Sequence, residues 1–166
     1  MSPPEPFRRY TIPNGIPGVR ATLSIMVRLV KQGRKDPAVI AQAEKITLPL
    51  PAHDVNAEID ALFRWVKTNV RYMFDPRDEE KINTAERTLR VRTGDCDDMS
   101  VLLASLLEAT GKKTKFIALG FDGDTYSHVV SQVRLNDSWI TLDPTVKNST
   151  LGWMPPGSTR WMQAHV

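Results

Sequence analysis

Hydrophobic residues recur at helical spacing through the first two thirds of the chain and switch to alternation beyond it. Leu23, Met26, Val27 and Val30 share one face, so the spacing predicts a helix from Thr22 to about Gln32, closed by Gly33. Asp36-Pro37 opens a second helix to about Ile46, with proline in its favoured first turn. Two prolines make residues 48–52 a connector. A third helix follows from Asp54 to Asn69, with Ile59, Leu62, Phe63 and Val66 as its apolar stripe. Residues 70–74 read as a short extended stretch ended by Asp75-Pro76, followed by a charged loop and a short helix from Ala85 to Val91.

The next helix, 96–110, carries Met99, Leu103 and Leu106 on one stripe and ends at Gly111. After it the period becomes two. Strands are predicted at 114–120, 127–135 and 138–143, separated by Asp122-Gly123-Asp124 and by Asn136-Asp137. Five of the twelve prolines fall in residues 1–19, which predicts an extended arm over 1–20. Residues 21–146 then form one domain, and 147–166, with Trp153, Met154, Trp161 and Met162, read as an irregular tail packed back on it. The fold class is α+β: helices first, then a small antiparallel sheet.

Composition narrows the function. At 166 residues the chain suits one domain with a proper core. A net charge of +3, with Lys112, Lys113 and Lys115 as the tightest basic cluster, lacks the aromatic-basic repeats of a nucleic-acid binder. No apolar run approaches the roughly 20 residues of a membrane span, and no signal pattern opens the chain, so the cytoplasm of the producing cell is the expected location. A single cysteine excludes an intrachain disulfide and a multi-cysteine zinc site. Asp122-Gly123-Asp124 is too short for a calcium loop. His53 has no second ligand at helical spacing and reads as a capping or solvent residue. No metal and no cofactor are expected, since a phosphate-binding glycine loop is also missing.

That cysteine, Cys96, stands at a helix start after Gly94, which lets the backbone turn sharply, and Asp95, an N-cap candidate. The positive end of a helix lowers a thiol pKa, so Cys96 is a candidate nucleophile. A nucleophile needs a base, and the base needs an orienting acceptor. If Asn136-Asp137 is a two-residue hairpin loop, Leu135 pairs with Ser138 and Val130 faces Asp143. His128 shares the face of Val130, which makes Asp143 its diagonal neighbour, about 7 Å away at the backbone. A slip of one residue would separate them. Cys96, His128 and Asp143 are therefore the candidate catalytic set.

The run Gly94-Asp95-Cys96-Asp97-Asp98-Met99, with Ser127-His128-Val129-Val130 and Trp139-Ile140-Thr141-Leu142-Asp143-Pro144 downstream, resembles the core of the transglutaminase-like superfamily over about residues 57–146. The resemblance implies a papain-like fold in which a cysteine-bearing helix packs on a sheet bearing histidine and aspartate. It implies Cys96 as nucleophile, His128 as base and acid, and Asp143 as orienting carboxylate. It further implies a protein or peptide substrate and an amide hydrolysis or transamidation that runs through a thioester. The Cys96 backbone N–H would be one oxyanion donor and Tyr72 a candidate for the second. Val130 stands where many relatives carry an aromatic residue. Small members of this kind resemble bacteriophage and prophage proteins, so a structural or adaptor role in a virion, through the proline-rich arm and the Trp/Met tail, is the alternative expectation.

Overall fold

Helix α5 (Cys96–Ala109) runs through the middle of the structure because it is apolar on every side. Every residue from Asp98 to Leu107 is buried, including Val101, Ala104 and Ser105, which lie off the expected stripe. The computed structural model, which describes residues 7–75 and 81–166, covers one side of α5 with helices and the other with a sheet. The helices are α1 (Ile16–Gly33), α2 (Pro37–Thr47), α3 (Val55–Asn69) and α4 (Ala85–Val91), and all four pack against α5. Asp36 caps α2, Asp54 caps α3 and Thr84 caps α4 through their side chains, as their sequence positions suggest.

Helix α1 begins six residues before the expected Thr22. Gly15, at φ 73°, turns the chain, and Pro17 lies in the first turn, where its missing N–H costs nothing. Residues 16–20 are thus helix rather than extended arm. Of that arm, Phe7–Arg9 form strand β1, and residues 1–6 lie outside the described residues. Strand β1 pairs antiparallel with β3 (Lys81–Asn83), which occupies the end of the expected charged loop; residues 76–80 of that loop also lie outside the described residues. The expected stretch 70–74 shortens to β2 (Arg71–Tyr72), paired in parallel with β4 (Thr93–Gly94).

The main sheet contains β5 (Thr114–Gly120), β6 (His128–Leu135), β7 (Ser138–Leu142) and β8 (Arg160–His165) in the order β7-β6-β5-β8, antiparallel throughout. The β6–β7 hairpin has the register expected from its turn, with Leu135 opposite Ser138, and Asn136 takes the left-handed backbone at φ 54°. Strand β8 corrects the expected irregular tail. Strand β5 is buried along its whole length, so its second hydrogen-bonding edge has to be paired, and residues 160–165 pair with it. The domain therefore runs through the C-terminal strand and does not end at 146. The alternation that defines β8 is muted because its outward residues include Trp161, which remains largely exposed at an edge.

Candidate active site

Helix α5 is anchored before it starts. The Asp95 carboxylate accepts from the N–H groups of Asp97 at 3.0 Å and Asp98 at 3.1 Å, and the Asp98 carboxylate returns a bond to the Asp95 N–H at 3.4 Å. Asp98 is 1% exposed and also accepts from the backbone N–H of Asn83 at 2.7 Å and from its side-chain amide at 2.8 Å. The helix start is thereby tied to β3. Gly94 is required for space: a Cβ there would lie 2.5 Å from that of Asp98. Its role is close approach, not the sharp turn inferred from sequence. Gly94 also sits beside Tyr72, and its carbonyl accepts from the Met73 N–H at 2.9 Å.

The strand pair delivers the second part of the site. Nε2 of His128 lies 2.8 Å from Oδ2 of Asp143, and the Asp143 side chain is fully buried. The other carboxylate oxygen accepts from the Thr145 N–H at 3.0 Å and the Thr145 hydroxyl at 2.6 Å. Ser149 donates its hydroxyl to the Asp143 carbonyl at 2.6 Å. Burial alone would raise the Asp143 pKa, but the hydrogen bonds from His128 and Thr145 outweigh it and hold the carboxyl below its ordinary range. An ionised carboxylate can only accept, so Nε2 carries the proton of this bond. Thr145 falls at the end of the family-like stretch without a role assigned from sequence, and Ser149 escaped the sequence reading because it lies beyond Pro144 in a loop with no periodicity.

Cys96 and His128 line one cavity of about 330 Å³, together with Asp97, Val129 and the segment at Ile12-Pro13. Burial pushes the Cys96 thiol well above its ordinary range. The charges of Asp97 and Asp95 push the same way, opposed by a backbone hydrogen bond from Val129. The thiol itself donates toward Asp97 at 3.7 Å. The expected lowering by the helix start is thus overturned, because burial disfavours the thiolate and the capping Asp95 and its neighbour Asp97 add like charge beside the sulfur. Tyr72 belongs to the same neighbourhood. Burial raises its phenol to about 12, reinforced by the neighbouring Cys96 and by the charges of Asp95, Asp97 and Asp143, so the hydroxyl keeps its proton. Its ring meets Phe74 edge-on at 5.0 Å.

Carboxylate oxygens of Asp75, Asp95 and Asp98 lie within 4.8 Å of one another, the group among the described residues that could hold a metal. Their known partners are backbone and side-chain N–H groups of Lys81, Asp97, Asp98 and Asn83. Burial raises Asp95 to about 6 and Asp98 to about 7, so protons compete for this cluster near neutrality. His53 is exposed, with φ 65°, beside α3, and His165 packs edge-on against Trp139 at 5.4 Å in the sheet.

Comparison with known proteins places these residues in a family setting. The family model described as the transglutaminase-like superfamily matches residues 41–144, a stretch that contains Cys96, His128 and Asp143. No curated protein matches the chain significantly. Among solved structures, the chain resembles a candidate cysteine protease from Cytophaga hutchinsonii, at 18% identity and a TM-score of 0.54, over 78% of this chain and 51% of that one. It also resembles a candidate protease from Parabacteroides distasonis, at 14% identity and a TM-score of 0.57, over 73% of this chain and 26% of that one. The chain thus spans about half of the first structure and a quarter of the second, and at these identities the likeness concerns the fold.

Proposed function

We propose, from the premise that the chain belongs to the transglutaminase-like superfamily, that it is an acyl-transfer enzyme in which Cys96, His128 and Asp143 act as one unit. The observation that carries this reading is the His128–Asp143 bond at 2.8 Å on a ring that shares a cavity with the only cysteine. Asp143 fixes the Nε2–H tautomer, which leaves Nδ1 as the base. Because the thiol rests protonated, His128 takes its proton as sulfur attacks the carbonyl carbon of an amide. The C=O π pair moves onto oxygen, and the oxyanion is held by the Cys96 N–H and the Tyr72 hydroxyl. The imidazolium then protonates the departing amine as the C–N bond breaks, and a thioester remains. Water or a second amine resolves it, again with His128 as base.

A generic acyl donor tests the reaction without knowledge of the substrate. The protein is expected to release nitrophenolate from p-nitrophenyl acetate with an acetyl group transiently on Cys96, and Cys96→Ala is expected to do neither. A Cys96→Ala protein as active as the parent would refute the proposal.

The raised thiol pKa favours a second reading, an interaction scaffold built on the same fold. Complementation of a loss of the gene with Cys96→Ala separates the two: full rescue supports the scaffold, and failure supports the enzyme.

A further inference from the structure

Tyr72 also lines a cavity of about 700 Å³ whose charged lining is entirely cationic: Arg64, Lys67, Arg71, Arg92 and Lys147. We propose that this cavity binds the carboxylate of an acidic residue in a peptide substrate, next to the reacting bond. The substrate role rests on the acyl-transfer reading above, whereas the binding itself does not.

The cations come from four separate segments, which is why the sequence shows no basic run there. Arg64 and Lys67 lie on α3, Arg71 on β2, Arg92 at the end of α4, and Lys147 in the loop after Asp143. Arg71 and Arg92 are held side by side, since the Arg71 N–H donates to the Arg92 carbonyl at 2.9 Å. Arg92 has left-handed backbone at φ 60° and lays its guanidinium over the Trp65 ring, 4.5 Å from the centroid. Arg64 pairs outward with Asp60 at 3.2 Å. Among the described residues, neither Arg71 nor Lys147 has an ion-pair partner. By contrast, Lys112 and Lys115 of the sequence's tightest basic cluster are buried, and Lys112 is paired with Glu58.

The cavity adjoins the candidate catalytic residues through two of its own walls. Tyr72 lines it while feeling the charge of Asp143, and Thr145 lines it while bonding the Asp143 carboxylate. The cavity on the Cys96 side lacks this character: its wall holds no lysine or arginine, and of its two acids Asp124 is paired with Arg160. An extended peptide would therefore meet a cationic wall on one side of the reacting bond and none on the other. That asymmetry sets the direction in which it lies. A nucleic acid fits less well, because the indole of Trp65 is already covered by Arg92 and Tyr72 is the one aromatic residue in the described lining, which leaves no row of rings for successive bases.

The test measures binding in the full-length Cys96→Ala protein, so its outcome does not depend on turnover. Fluorescein-labelled hexaglutamate is titrated by anisotropy against labelled hexaglutamine and a labelled single-stranded hexathymidylate. Hexaglutamate is expected to bind, to weaken with added salt, and to lose about tenfold or more in affinity with Arg71→Gln/Lys147→Gln. Lys147→Gln alone is expected to lose part of that, and Lys112→Gln/Lys113→Gln none of it. Absence of hexaglutamate binding, equal binding of hexaglutamine, indifference to the Arg71/Lys147 changes, or tighter binding of the oligonucleotide would each overturn the assignment.

Discussion

His128 and Asp143 meet at 2.8 Å although they are not paired across their strands. The β6–β7 register stops at Ser131 opposite Leu142, and the carboxylate reaches back along the hairpin to the ring. Because Asp143 is buried and ionised, it acts on the imidazole chiefly by choosing its tautomer.

Asp143→Asn keeps the shape of the site and an acceptor for Thr145 but turns an NH2 group toward the ring. The ring then has to accept at Nε2, which moves its proton to Nδ1 and removes the lone pair that would face the thiol. Turnover of p-nitrophenyl acetate is expected to fall about 10³-fold or more. Nitrogen-15 NMR of the labelled histidine is expected to show the change of tautomer; an unchanged Nε2–H form with lost turnover would count against this account.

Tyr72→Phe tests the second oxyanion donor. The phenylalanine retains the edge-on contact with Phe74, so the fold should be unaffected, while the donor hydroxyl is lost. The expected outcome is a fall in kcat of roughly 10²-fold with little change in KM. A drop in affinity with kcat preserved would place Tyr72 in substrate binding instead.

Asp97→Asn removes the nearest like charge from Cys96. The thiolate is then less opposed, so iodoacetamide is expected to label Cys96 about threefold faster or more at about pH 8. Rates come from intact-mass spectrometry. Slower labelling would mean that Asp97 activates the sulfur by another route.

Much of this site was legible because short-range rules govern it. The Asp95 cap, the apolar run after Cys96 and the two-residue turn at Asn136-Asp137 each depend on neighbours in sequence, and each is found as expected. The turn alone set the face on which His128 and Asp143 meet. What escaped depended on distant partners. Strand β8 exists because β5 has a second edge to satisfy, which nothing in residues 160–165 announces. The rise of the Cys96 thiol follows chiefly from burial, which depends on the whole fold; the sequence shows the helix start and the opposing acids beside it, but not the burial that adds to those acids. The cationic cavity likewise gathers single charges from segments as far apart as Arg64 and Lys147.

Stability should depend on pH in a direction unusual for acids. Burial raises Asp95 to about 6 and Asp98 to about 7, from 3.8. Between the unfolded value and these folded values the native state binds more protons than the unfolded chain, so stability falls as pH rises through that window. Asp95→Asn keeps the capping acceptor and removes one charge. It is expected to raise Tm by about 2–4 °C at about pH 8, with the gain vanishing at about pH 4. Differential scanning calorimetry reads both values. An equal change at both pH values would show that the carboxylate cluster does not titrate this way.

Whether His128 activates Cys96 is read from the single-turnover rate at which p-nitrophenyl acetate acetylates Cys96, compared between the parent protein and His128→Ala at about pH 7.5. Because the thiol rests protonated, the reaction needs the base that Asp143 orients, and the account predicts a fall of about 10²- to 10³-fold on loss of the imidazole. Acetylation of Cys96 at an undiminished rate without His128 would contradict it.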